Sequence, residues 1–224
     1  MAKIIVSYDG TASDEDALAF GRLLAKAGAS LMLAYVRHQK ESEGPRERLA
    51  EHDAEQLLES GARWLGTPDV PRRVVVSAST PQGLRELAAA EGADAIVFGS
   101  EYRTTPGHVD PGTSARALLD GGPVAVGIAP SEMRYRADAP VVSIAAVSED
   151  DDMSAAVTAQ SLASYYGSAL ATRVGSDVGL IVVSSKPGTA EGTVRLSAAA
   201  QYLVEMVRCP VLVLPRGVPI SFRP

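Results

Sequence analysis

The residues best suited to chemistry lie in one short stretch. Gly99-Ser100-Glu101-Tyr102 leaves an apolar run, Ala95-Ile96-Val97-Phe98, and Gly112-Thr113-Ser114 enters Ala115-Arg116-Ala117-Leu118-Leu119, whose spacing predicts a helix. A buried strand ending in glycine, then a loop, then a glycine–hydroxyl pair opening a helix is suited to cradling phosphate. Glycine admits close approach to the backbone, and the unpaired amides of a helix start favour an anion. Asp9-Gly10 closes another strand-like run, Lys3 to Tyr8, and would put a carboxylate on the same sheet rim as Gly99. Each signal has a plainer reading: Asp-Gly is a common turn, and Gly-Thr-Ser is an ordinary helix start.

Other candidates carry less. Glu149-Asp150-Asp151-Asp152 could hold a metal but reads more simply as a solvated acidic helix start. His38, His52 and His108 lack ligand spacing, so no metal site is expected. Cys209 precedes Pro210 and an apolar run and is expected in the core. None of the four lysines follows a glycine, which rules out a Walker loop. The loop after Asp9 lacks the G-x-G-x-x-G of dinucleotide enzymes, and no Ser-His-Asp signature is present. No catalytic residue is assigned.

These residues need a scaffold, and the pattern supplies one. Lys3–Tyr8, Ser30–Val36, Arg72–Ser77, Ala95–Gly99 and Val124–Ala129 read as strands. Helices are predicted from Ser13 to Gly28, with Ser13 as cap and Asp16 at the capping-box position, and over Arg46–Leu65, Pro81–Glu91 and Thr113–Leu119. Alternating strands and helices imply a parallel sheet covered on both faces.

The 224-residue chain has a net charge of −6, 46% hydrophobic and 21% charged residues, and one cysteine. No basic cluster stands out, so neither nucleic acid nor an anionic membrane is an expected partner. The single cysteine excludes an internal disulfide framework. Met1-Ala2-Lys3-Ile4-Ile5-Val6 runs directly into a strand, and a cytoplasmic location is expected.

The second half repeats the first. An offset of 85 sets Ile96-Val97 on Ile181-Val182, Ser100 on Ser185, Gly107 on Gly192, Leu118 on Leu203, Val126 on Val211 and Pro130 on Pro215 without a gap. Upstream, an offset of 138 sets Ala17 on Ala155, Ala25 on Ala163 and Val36 on Val174, so the second copy has lost about 53 residues. The expected organisation is a complete domain at 1–131, a linker at 132–139, a truncated copy at 140–216 and a tail at 217–224. At these offsets Asp9 becomes Val147, Gly99 Ser184, Tyr102 Pro187, Gly112 Ser197 and Thr113 Ala198, so the copy is expected to have lost any site.

Ile4-Ile5-Val6-Ser7-Tyr8-Asp9-Gly10, the loop after Gly99, and Cys209-Pro210-Val211-Leu212-Val213-Leu214-Pro215 resemble the universal stress protein family. The resemblance is to its tandem form with a degenerate second domain. Nucleotide-binding members are similar to G-x2-G-x9-G-[ST]; here the register is Gly99-x2-Tyr102-x9-Gly112-Thr113, with tyrosine for the middle glycine. The resemblance implies a Rossmann-like α/β fold, an open parallel sheet of order 3-2-1-4-5 with helices on both faces. It implies ATP or a related adenine nucleotide as ligand, with Mg carried on the phosphates. Asp9 would lie near the nucleoside, the backbone of Val36 against adenine, and Gly99, Gly112, Thr113 and Ser114 around the phosphates. It also implies pairing through the fifth-strand edge, which two copies in one chain could satisfy internally and which leaves room for a homodimer.

Two readings follow. In one, the chain is a stress-response regulator binding a nucleotide in its first half, not an enzyme, with any ATP turnover slow for want of a placed general base. In the other it is an interaction scaffold that has given up the ligand. Tyr102 either closes the phosphate space or points outward and leaves the backbone free. On the first reading Gly112→Val abolishes binding and Gly192→Val does not.

Overall fold

The computed structural model describes residues 1–38 and 45–222. The first half runs β1 (Lys3–Ser7), α1 (Ala12–Lys26), β2 (Ser30–His38), α2 (Pro45–Leu65), β3 (Arg72–Ser77), α3 (Thr80–Glu91), β4 (Ala95–Gly99), α4 (Thr113–Leu119) and β5 (Ala125–Ala129). The second half supplies β6 (Ser143–Val147), α5 (Ser154–Tyr166), β7 (Ala169–Ala171), β8 (Leu180–Val183), α6 (Ala198–Met206) and β9 (Val211–Val213). Among the described residues the strands form one sheet of order β3-β2-β1-β4-β5-β9-β8-β6-β7. The expected 3-2-1-4-5 order is its first part, and every pairing there is parallel. The two parts join where β5 and β9 pair antiparallel, Val126 with Val213, Gly127 with Leu212 and Ile128 with Val211.

Two apolar layers flank this sheet. Phe20, Leu24, Leu58 and Leu162, from α1, α2 and α5, bury one face, and Leu84, Leu118 and Val204, from α3, α4 and α6, bury the other. The central strands are apolar on both faces because helices cover both. Their covering and the sheet's continuity leave the parallel strand ends as the place where irregular loops gather. No described helix is long and apolar enough to cross a membrane.

Residues 85 apart make the same hydrogen bonds. Ser100 Oγ donates to the Ala129 carbonyl at 2.7 Å and Ser185 Oγ to that of Leu214 at 2.8 Å. Gly107 N–H donates to Ser131 at 2.8 Å and Gly192 N–H to Arg216 at 2.9 Å. Those two glycines have φ of 81° and 74°, which a β-branched residue resists, so Gly192→Val would strain the backbone and is no neutral control.

Upstream the structure corrects the alignment. β1 pairs with β4 as Ile4 to Ala95, and β6 with β8 as Ile144 to Leu180. Since Leu180 stands 85 after Ala95, Ile144 is the counterpart of Ile4, and the offset there is 140 rather than 138. The counterpart of Asp9 is therefore Glu149, not Val147.

Local signals were also reassigned by tertiary contacts. Helix α1 is capped by Thr11 with Asp14 at the third position, two residues earlier than Ser13 and Asp16. Asp16 is instead buried, 2% exposed, where it pairs with Arg134 Nη1 at 2.8 Å and accepts the Glu132 and Arg134 amides at 2.9 and 2.8 Å. The segment expected to link the halves is thus a 3-10 turn, Met133–Arg136, pinned to α1. The expected tail also packs: Ile220 and Phe222 are buried, their amides bonded to Thr158 and Ser161 of α5 at 2.8 Å each, while residues 223 and 224 lie outside the described residues.

Candidate functional site

The site is built from strand ends. Tyr8 N–H donates to the Ala34 carbonyl at 2.9 Å, extending the β1–β2 register so that Asp9 emerges level with Val36. On the other side of β1, Gly99 ends β4 opposite Ala129. The loop from Ser100 then folds back on itself: Glu101 N–H donates to Asp110 at 2.8 Å, and Ser100 bridges Pro111. That closure returns Gly112 to the rim. Asp9, Val36, Gly99, Gly112, Thr113 and Ser114 are all brought to the carboxyl ends of the parallel strands, beside the crevice where the strand order reverses between β1 and β4.

Gly112 is the N-cap of α4, extended at φ −64° and ψ 172°, and no side chain caps that helix. Its carbonyl takes the Arg116 amide at 2.9 Å, while the amides following it face the loop. Val36 is buried and offers only backbone, whereas Asp9 is exposed.

Gly99 has a different reason to be glycine. A Cβ built there would lie 1.8 Å from the Ser13 carbonyl oxygen, so the start of α1 occupies the space. Its counterpart Ser184 does carry a side chain, whose hydroxyl donates to the Val147 carbonyl at 3.4 Å. The glycine is demanded by packing of the chain on itself.

Asp9 has a partner in Asp14, in the first turn of α1. The Asp14 carboxylate accepts the Asp9 amide at 3.1 Å, the Thr11 amide at 2.9 Å and the Thr11 hydroxyl at 2.7 Å. Burial, and then the adjoining Asp9 carboxylate, push Asp14 up from 3.8 to about 7. Asp14 therefore keeps its proton well above the usual carboxylate range. The signal was present in Thr11-x-x-Asp14, which competes with Ser13-x-x-Asp16 for the same capping pattern.

Tyr102 does not close the phosphate space. Its side chain is 80% exposed. The neighbour is what intrudes: Glu101 Oε1 accepts the Tyr102 amide at 3.1 Å, and Glu101 Oε2 would be 3.0 Å from a Cβ on Gly112. A carboxylate of the chain therefore stands at the helix start where an external anion would bind.

The second half shows the same substitution in a closed form. Ser197 caps α6, accepting the Ala200 amide at 3.0 Å, and its hydroxyl donates to the Glu149 carboxylate. The acid of this half is retained, contrary to the sequence alignment, and it reaches over to the helix start. Cys209 is buried in the adjoining core, which pushes its thiol up to about 12 and keeps it protonated at neutral pH. Among the described residues no three His, Cys, Asp or Glu side chains group as a metal site.

Residues 1–130 match the model of the universal stress protein family. No curated protein matches the chain in sequence. Among solved structures, a universal stress protein from Archaeoglobus fulgidus is similar over 96% of this chain and 98% of its own, at 14% identity and a TM-score of 0.60. A Pseudomonas aeruginosa protein assigned to the same family is similar over 97% of this chain and 94% of its own, at 15% identity and a TM-score of 0.63. A universal stress protein solved in complex with cAMP aligns with 58% of this chain and 98% of its own, at 22% identity and a TM-score of 0.42.

Proposed function

The chain belongs to the universal stress protein family, and we propose that its first half binds an adenine nucleotide at the β1–β4 rim. The observation that carries this reading is the uncapped start of α4 at Gly112, returned by its own loop to the crevice that Asp9 and Val36 border. The backbone at Val36 would face the base, Asp9 the ribose, and the amides from Gly112 to Ser114 the phosphates, with ATP as the first ligand to try. Mg would ride on the phosphates. Glu101 must swing aside for them, and as an exposed side chain it is able to. The second half serves as a built-in partner, supported by the antiparallel β5–β9 pairing and by Glu149 filling its own helix start. The role is regulatory, in a stress response, rather than catalytic.

One observation favours the scaffold reading instead, namely Glu101 against Gly112, which gives the helix start an anion of its own. The experiment is to denature purified protein, identify any nucleotide released, and follow thermal stability against ATP–Mg. Adenine nucleotide in the supernatant, or a rise in Tm at millimolar ATP, is expected. Gly112→Val should abolish the rise and Ala198→Val, at the second loop, should leave it. No released nucleotide together with no rise would overturn nucleotide binding and leave the scaffold.

A further inference from the structure

A cavity lies beside the loop that ends at Gly112, on the far side of α4 from the β1–β4 crevice. It has a volume of about 530 Å³ and opens between α4 and α6, on the face opposite α1 and α5. Both halves build its floor: Pro111 and Leu119 from one meet Leu196 and Val204 from the other, each pair 85 residues apart. Its rim is clasped by ion pairs that cross between halves. Arg195 Nη2 meets Asp120 at 3.0 Å, and Arg116 Nη2 meets Glu205 at 3.7 Å, with a closer contact to Asp110 at 2.6 Å.

The walls break the symmetry of the floor in charge alone. At the 85 offset Glu101 becomes Lys186 and Asp110 becomes Arg195, so two acids of one loop are two cations of the other. Arg116 and Arg195 in the lining are matched by Asp110, Asp120 and Glu205, so the walls carry no net charge once Lys186 is counted. Lys186 makes no ion pair among the described residues. Arg195 gives one nitrogen to Asp120, and a guanidinium has donors beyond that one. An apolar floor of this volume with one ammonium outside those ion pairs beside a partly engaged guanidinium matches how small-molecule pockets are made, apolar with few placed polar groups.

We infer that this groove binds a small organic anion, a flat apolar or aromatic body on the Leu119–Val204 floor with one carboxylate, sulfonate or phosphate head on Lys186 and Arg195. Such a ligand touches both halves at once and stabilises their association in proportion to its occupancy.

The test is titration of the full chain with naphthalene-1-sulfonate, followed by amide chemical shifts. Saturable shifts are expected at Leu119, Leu196 and Val204. Lys186→Glu should weaken binding about tenfold, the scale for losing one charge-assisted contact. Gln201→Trp, at an exposed lining position, should block the groove without touching the core. Absence of saturable shifts, shifts confined to the β1–β4 rim, or equal affinity in Lys186→Glu would overturn the proposal. Spectra of each variant away from the groove should match those of the parent, which separates a blocked site from an unfolded chain.

Discussion

Asp14 and Glu101 show how single carboxylates decide what the rim can do. Asp14 titrates near 7 in the folded chain against 3.8 as an isolated group, so the folded state holds the extra proton between those values. Its contribution to stability is present below about pH 4 and is lost as pH rises through about 7. Asp14→Asn keeps an acceptor for the Thr11 and Asp9 amides while removing the titration. Its Tm relative to the parent should therefore climb from pH 5 to pH 8; parallel curves for the two proteins would refute the raised Asp14 pKa. Glu101 has the opposite consequence for ligand. Glu101→Ala removes the anion beside Gly112 and should tighten binding of ATP, or of inorganic phosphate, by about 1 kcal/mol or more, read by calorimetry. Unchanged affinity would mean that the carboxylate does not compete. The sequence placed the loop but left open whether Tyr102 closes it or points outward. A missing glycine is visible in a motif, whereas a neighbouring side chain turning back onto the backbone is a matter of rotamer.

The elements were almost wholly legible because each strand is an apolar run bounded by turn residues and each helix has its own apolar stripe. What failed was a boundary, the start of α1. Ser13-x-x-Asp16 and Thr11-x-x-Asp14 both satisfy the capping pattern, and only Arg134, more than a hundred residues on, removes Asp16 from contention. That bond is a strong constraint, since Asp16 is buried and satisfies an arginine and two amides at once. Asp16→Ala should cost about 3–5 kcal/mol in denaturant unfolding, the range for leaving one partner of a buried pair alone. A loss below about 1 kcal/mol would show that the 3-10 turn holds without it. The same turn contains Glu132 at φ 67°, while the residue 85 later, in the equivalent turn, is Gly217 at φ 71°. One copy has the residue that this conformation favours and the other does not. Glu132→Gly should stabilise by about 0.5–1 kcal/mol, the left-handed penalty outweighing the added freedom of the unfolded chain.

At the scale of the molecule, an offset in a repeat became an architecture. The 85-residue offset was readable because that stretch matches without a gap; the upstream offset was not, because short, alanine-rich segments align almost as well two residues away, and only strand pairing separates 138 from 140. The second half has the short strand β7 at its outer edge and four strands where the first half has five, so it is poorly built to stand alone. The first half has the converse difficulty. β5 is buried along its whole length, from Ala125 to Ala129, and its free edge is covered solely by β9. Residues 1–131 expressed without the rest would expose that edge, which is a template for another strand. The antiparallel geometry already present at Val126–Val213 and Ile128–Val211 is two-fold in character, so a second copy of β5 can take the place of β9. The fragment should sediment as a dimer at micromolar concentration, and Ile128→Lys, which buries a charge at that seam, should return it to monomer or prevent folding. A folded, monodisperse monomer would mean that β5 is satisfied without a partner, and the case for the second half as a built-in partner would fall with it.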